Sequence, residues 1–144
     1  WQVAIKPGKP LAFGRVGGPS GPVPLIGLPG NPVAAAVAFH VFAQPAIRTM
    51  AGRTPIRPPR WPARLEEAVE NSGRQHYLRA RAWQDEAGTR RVTTRESGVR
   101  VQGSGILSAL AWANCFAIVP ASVYHLAAGT EIMIEPIDWS EEEI

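Results

Sequence analysis

Acidic side chains are missing from the first 65 residues of this 144-residue chain. All 12 Asp and Glu residues lie at or after Glu66, whereas eight of the 15 Lys and Arg residues lie before it. The first segment therefore has a formal charge of +8, and the remainder, with seven basic and twelve acidic residues, has −5. A one-signed charge distribution attracts ions of the opposite sign. We expect the first half to attract anions and the second half not to.

The basic residues do not have the pattern of a nucleic-acid-binding protein. They are scattered among prolines and apolar runs, without an arginine-rich helix, a zinc finger or an aromatic RNA-binding signature. We predict no nucleic-acid partner. A small oxyanion or a phosphate is the sharper hypothesis.

Cysteine and long apolar runs are scarce as well. The single Cys115 cannot form an intramolecular disulfide, so nothing indicates an oxidising compartment, and its apolar neighbours predict a buried structural thiol. Without a signal peptide or a run of about 18 apolar residues, we predict a cytoplasmic protein with no membrane contact. Because residue 1 is Trp and not Met, we expect the chain to be part of a larger protein.

Common catalytic and metal-binding motifs are also absent. The chain has neither a Walker lysine after its glycines nor a G-x-G-x-x-G spacing, and no motif supports a Ser-His-Asp triad. His40, His76 and His125 are widely separated, so we predict no metal site in this chain. His40 lies in an apolar helical segment and is expected to be packed and hydrogen-bonded.

Glycine and proline, with 14 residues each, are by contrast abundant and favour short strands and turns. Residues 1–6 and 23–28 are predicted to be strands joined by a loop.

A helix is predicted over 32–51. Asn31 suits the N-cap and Pro32 the first helical position. Pro45 should kink the helix or start a new turn near Phe42. Its apolar residues lie on every face, so we expect it to be buried between a sheet and another layer.

The pattern changes after residue 51. Residues 52–64 are rich in Pro and Arg and predict an extended linker. The short alternating runs that follow, over 60–138, predict a small barrel-like β domain with a hairpin turn at 85–90 and a short helix at 105–114. The fold class is therefore α/β followed by all-β.

Three stretches could contact an anion. "GLPGNP" (27–32) joins a strand to a helix N-terminus, where amides and the helix dipole favour negative charge, although a tightly packed turn explains it equally well. "KPGKP" (6–10) is either a surface corner or half of an anion site. Ser104, between Gly103 and Gly105, could offer a hydroxyl or simply cap the next helix.

At these positions the chain resembles the C-terminal part of the MoeA family of molybdopterin molybdenumtransferases, which includes the E domain of gephyrin. The resemblance rests on "AIKPGKPLAFG", "GLPGNPVAA", "GRQHYLRA" and "QGSGILSALAWANCFAIVP". It implies that 1–52 end a molybdopterin-binding α/β domain, which is incomplete here, and that 53–144 form the C-terminal β-clip domain.

The resemblance also implies an activity and a set of site residues. The family inserts molybdenum from molybdate into adenylylated molybdopterin and releases AMP. No residue of the chain is assigned a covalent catalytic role, and two departures, Ala34 and Gln2, remove possible polar contacts. The implied molybdate-binding residues are Lys6, Lys9, Pro10, Arg74 and Ser104, and those beside the molybdopterin pocket are Pro29, Gly30, Asn31 and Pro32.

Further expectations follow from the family. It uses Mg²⁺, whose ligands are expected upstream of this chain, and works as a homodimer. We expect the chain alone to be inactive. The alternative hypothesis is a non-catalytic scaffold or protein-interaction module of the gephyrin type.

Overall fold

A hairpin opens the described part of the chain. The computed structural model describes residues 2–96, 98–100 and 108–138. After the two-residue strand β1 (Ile5–Lys6), β2 (Ala12–Gly18) pairs antiparallel with β3 (Gly21–Gly27). The prediction of a loop before residue 23 is therefore wrong. Glycine and proline disfavour strands on average. The β2–β3 hairpin, however, pairs with no third described strand, and Pro22 and Pro24 lie where a missing N–H is tolerated.

The predicted helix is continuous from Pro32 to Met50, in three parts. Helix α1 (Pro32–Ala38) leads into a π-helical turn (Phe39–Ala43) and then into α2 (Gln44–Met50). Within the turn the Gln44 N–H bonds the Phe39 carbonyl, five residues back. Pro45 has no N–H to give to the preceding turn, and the wider turn accommodates it without ending the helix.

Only one face of this helix is covered in the described structure. Val33, Val37 and Ala38 are buried, but Ile47 and Met50 are 51% and 62% exposed. The expectation of burial on both sides is therefore not met here. By length and composition alone, the 19 residues Pro32–Met50 could also span a membrane. The buried residues instead pack against protein, as in a core helix.

The rest of the described chain is built around a closed barrel, as predicted. Its five strands are hydrogen-bonded in the order β6, β10, β12, β4, β7 and back to β6. The predicted linker ends four residues earlier than expected, since a strand begins at Trp61. The elements are β4 (Trp61–Leu65), β5 (Val69–Glu70), β6 (Gln75–Gln84), β7 (Arg90–Thr93), β8 (Arg95–Glu96), β9 (Val99–Arg100), α3 (Ser108–Trp112), β10 (Cys115–Val119), β11 (His125–Leu126) and β12 (Glu131–Pro136).

Local chemistry closes the β6–β7 hairpin where it was predicted. The Asp85 carboxylate accepts hydrogen bonds from the Ala87 and Thr89 amides at 3.1 and 2.8 Å, and Gly88 has a φ of +77°. Helix α3 falls within the predicted helical stretch 105–114.

The barrel interior is apolar. Cys115 lies in it, and burial raises the pKa of its thiol to about 12, as expected of a structural cysteine. The buried residues of this cluster are Ala63, Leu65, Val69, Leu78, Ala80, Val92, Cys115, Ala117, Val119, Ile132 and Ile134.

A second core joins the helix to the outside of the barrel. Val37 of α1 packs with Ile5 of β1 and with Tyr77, Phe116 and Ile118 of strands β6 and β10. The two segments that the sequence separates at residue 52 therefore share buried apolar surface.

A buried carboxylate lies beside this second core. Glu135 of β12, 6% exposed, accepts one hydrogen bond from His40 Nε2 at 2.8 Å and another from Arg60 Nε at 2.7 Å. Burial alone would raise the pKa of Glu135, but the hydrogen bonds from His40 and Arg60 outweigh it and lower the pKa. The expectation that His40 is packed and hydrogen-bonded is confirmed.

The lowered pKa of Glu135 predicts a pH-dependent contribution to stability. A depressed carboxyl pKa stabilises the fold above the ordinary value of 4.5, and the contribution is lost as pH falls through the folded value. Glu135→Gln should therefore lower the free energy of unfolding by about 1–3 kcal/mol at neutral pH. In urea titrations, this difference from the unsubstituted protein should shrink as the pH is lowered below about 4. A difference that stays constant with pH would contradict the prediction.

Candidate functional site

The two lysines of "KPGKP" lie on a closed turn. The Val3 N–H bonds the Lys9 carbonyl at 2.9 Å, and Gln2 forms a β-bridge with Pro10. Gly8 has a φ of +113°, a conformation that favours glycine. Lys6 is half-buried and Lys9 is exposed. We call residues 6–10 the lysine turn.

The lysine turn is attached to the barrel beside Arg74. Strand β1 runs parallel to the start of β6, with Ile5 opposite Gln75 and Lys6 opposite His76. Arg74 directly precedes β6, and its Nη1 donates to the Ile5 carbonyl at 3.4 Å. The structure therefore brings Arg74 next to the lysine turn, although the two are far apart in sequence.

Asn71 holds the backbone at Arg74, and the sequence reasoning missed it. Its Nδ2 lies 2.9 Å from the Arg74 carbonyl, 3.1 Å from that of Pro120 and 3.0 Å from that of Val123. One amide thus links three loop carbonyls near the end of the barrel. The only sequence signal was the Asn-Ser-Gly composition, which is typical of a turn.

The lysine turn also packs against helix α1. A Cβ added at Gly8 would lie 3.3 Å from Ile5 Cδ1 and 3.5 Å from the Ala34 carbonyl oxygen. A cleft of about 420 Å³ lies between the end of the lysine turn and the loop before the helix. Its lining residues are Pro10, Leu11, Ala12, Gly27, Leu28, Pro29 and Gly30.

The N-terminus of α1 does not offer the free amides that the sequence suggested. Asn31 Oδ1 accepts from the Val33 and Ala34 N–H groups at 3.0 and 3.1 Å, and the Ala35 N–H bonds the Asn31 carbonyl at 2.8 Å. Pro32 has no N–H. The first helix amides are therefore used within the turn, which favours the tightly packed interpretation of "GLPGNP".

No described carboxylate neutralises the charge around the lysine turn. Lys6, Lys9 and Arg74 make no ion pair within the described residues, whereas Arg60 pairs with Glu135. Such a group of cations can bind a small anion through charge-assisted hydrogen bonds. Of the remaining candidates, Ser104 lies outside the described residues.

No group of three or more His, Cys, Asp or Glu that could hold a metal ion occurs among residues 2–96, 98–100 and 108–138. The chemistry that the site can offer is binding and orientation of an anion by lysine and arginine.

Comparison with known proteins identifies relatives over nearly the whole chain. The family model described as the MoeA C-terminal region (domain IV) matches residues 62–137. A molybdopterin molybdenumtransferase of Haemophilus influenzae is 36% identical over 143 residues, covering 96% of this chain and 33% of the relative. Molybdopterin molybdenumtransferase 1 of Mycobacterium tuberculosis is 33% identical over 129 residues, covering 89% and 30%. The chain thus spans about a third of the length of these curated relatives.

Solved structures agree with this at the level of the fold. A molybdenum cofactor biosynthesis protein from Pyrococcus furiosus superposes with a TM-score of 0.69 at 25% identity, covering 94% of this chain and 44% of that one. The molybdopterin biosynthesis MoeA protein of Pyrococcus horikoshii gives 0.68 at 24% identity, covering 94% and 31%. The resemblance and the α/β plus barrel fold class predicted from sequence are confirmed, and the chain belongs to the MoeA family, whose C-terminal region, domain IV, it contains.

Proposed function

We propose that this chain forms the molybdate-binding side of a molybdenum insertase. The intact protein would transfer molybdenum from molybdate into adenylylated molybdopterin and release AMP, as a cytoplasmic enzyme of molybdenum cofactor biosynthesis. The observation that supports the proposal is the contact of Arg74 with Ile5, directly before the turn that carries Lys6 and Lys9. No carboxylate is paired to these three cations among the described residues.

The chemistry of molybdate suits these side chains. A tetrahedral dianion is held by the compact charges of lysines and by the planar donor group of an arginine. We assign Ser104 the role of an additional hydroxyl donor, on the resemblance alone. Because none of these groups has to form a covalent bond, they would act by positioning the anion and neutralising its charge.

The cleft beside the lysine turn is the natural place for the pterin. Pro10 lines it together with Pro29 and Gly30, so a ligand in the cleft would lie next to the cations. We assign Pro29, Gly30, Asn31 and Pro32 to the edge of the molybdopterin pocket. We assign no step to Mg²⁺, whose ligands we expect upstream of this chain. The family's homodimer is part of the proposal.

A second candidate function is a protein-interaction module without catalysis. One observation favours it, an apolar groove of about 580 Å³ between the β2–β3 hairpin and the helix. Phe13, Phe39, Ile47 and Met50 line it and are all substantially exposed. Loss of partner binding after Ile47→Glu, with molybdenum insertion unaffected, would favour this function over the first.

Removing single cations should weaken molybdate binding by the intact protein. We expect Lys9→Ala and Arg74→Ala each to raise the molybdate concentration for half-maximal insertion about 5- to 150-fold, the equivalent of about 1–3 kcal/mol for a charged hydrogen bond. Insertion rates measured over a molybdate titration check this. Arg64→Ala, at an exposed arginine of β4, is the charge-matched control and should leave the value unchanged. Unchanged values in both test variants would disprove the assignment.

Gly8→Ala should also weaken molybdate binding, because a side chain at φ +113° is strained and would push against Ile5. The cost of such a conformation is about 1–2 kcal/mol, and it falls on the turn that carries both lysines. The matched control is Gly88→Ala in the β6–β7 turn, where φ is +77° and a Cβ meets nothing within 4 Å. Thermal unfolding should show a loss of stability in both variants, but only Gly8→Ala should alter the molybdate titration. Equal molybdate titrations in the two variants would refute the predicted effect of Gly8→Ala on molybdate binding.

A further inference from the structure

The two parts of the proposed site are attached to the barrel by different sets of contacts, although Gly8 of the lysine turn also packs against helix α1. The lysine turn is held by the β1–β6 pairing and by the Arg74 hydrogen bond to Ile5. The loop 28–31, which we call the proline loop, has its own anchor, because it continues directly into α1 and the helix rests on the outside of the barrel.

The carboxylate of Glu135 makes a polar contact that fixes this helix to the barrel. One carboxylate oxygen bonds His40, in the π-helical turn, and the other bonds Arg60, in the segment before β4. His40 is 4% exposed and Glu135 6% exposed. Three separate segments therefore meet at one buried group, and its two oxygens are both used.

The His40 ring is held from a second side as well. It packs edge-on against Phe116 of β10, with ring centroids 4.9 Å apart and planes at 62°. Its hydrogen-bonding nitrogen reaches β12 and its ring edge reaches β10, so the π-helical turn is fixed on two neighbouring barrel strands. A rotation or a slide of the helix would break at least one of these contacts.

We propose that Glu135, with His40 and Arg60, is a positioning group that sets the place of the proline loop relative to the lysine turn. The proposal rests on the proposed function for the identity of the substrates. None of the three residues is assigned contact with substrate. They act through helix α1, whose N-terminal residues follow the proline loop directly.

The lysine turn has an additional anchor in the β1–β6 pairing, which predicts a selective effect on the two substrates. Loss of the Glu135 contacts frees the helix and the proline loop, while the β1–β6 pairing still holds Lys6 beside Arg74. The half-saturating concentration of adenylylated molybdopterin should then rise, and that of molybdate should change little. A group that contributes only to stability would alter neither value at temperatures where the protein stays folded.

The test uses the intact protein with paired substitutions. His40→Leu removes the hydrogen bond, and His40→Gln keeps a side-chain N–H that can reach Glu135. We expect His40→Leu and Glu135→Ala to raise the half-saturating concentration of adenylylated molybdopterin at least tenfold. The half-saturating concentration of molybdate should change less than twofold. His40→Gln should bring the value for adenylylated molybdopterin most of the way back to that of the unsubstituted protein. Glu131→Gln, at an exposed glutamate of the same strand, is the control and should behave like the unsubstituted protein.

Hydrogen exchange gives a readout that does not depend on the activity. The amides of Val33, Ala34 and Ala35 are bonded to Asn31 in the starting structure, and they should exchange faster in His40→Leu. The Val3 amide, which bonds the Lys9 carbonyl of the lysine turn, should stay protected. Unchanged exchange at these helix amides overturns the proposal, even where Glu135→Ala does not fold. Equal increases in the half-saturating concentrations of both substrates overturn the proposal too. If His40→Leu shows the exchange effect but the unsubstituted intact protein has no insertion activity, the positioning role stands and the proposed function is refuted.

Discussion

The pairing of a two-residue strand with the start of a barrel strand is the contact on which the candidate site depends. Ile5 and Lys6 lie opposite Gln75 and His76, and this parallel pairing is what places the lysine turn beside Arg74. Without it, the cations belong to separate surfaces, each too weakly charged to hold a small anion in water. The Arg74 hydrogen bond to Ile5 and the packing of Gly8 against α1 reinforce the same arrangement.

The packing of helix α1 on the barrel supports this arrangement. Val37 and Phe116 belong to a core that neither segment could bury alone, and Glu135 adds a directional contact where the apolar surface has none. Apolar packing tolerates sliding more readily than a carboxylate with both oxygens hydrogen-bonded, because hydrogen bonds weaken steeply with angle. The burial of the Glu135 charge beside the second core is thus consistent with a requirement for position and not only for stability.

The sequence predicted the elements whose signals are local. Asn31 and Pro32 mark the helix start, the alternation around Leu78 and Ala80 predicts a strand with one interior face, and the Asp85 turn follows its composition. It failed where pairing partners decide the outcome. The glycine-rich β2 became a strand only through β3. Asn31 used the helix amides, and the sequence alone left open whether these bind an anion or pack in a turn. The grouping of Lys6 with Arg74 was implied by the family resemblance, while Asn71 and Glu135 act through contacts that no spacing along the chain reveals.

The central claim is that one oxyanion is bound jointly by the lysine turn and Arg74. Anomalous diffraction from crystals of the intact protein soaked with tungstate, which has the size and charge of molybdate, tests this directly by locating the heavy atom. The account predicts a peak whose oxygens lie within hydrogen-bond distance, about 2.7–3.2 Å, of both the lysine turn and the Arg74 guanidinium. A peak elsewhere, or a peak at the lysines with Arg74 turned away, would contradict it.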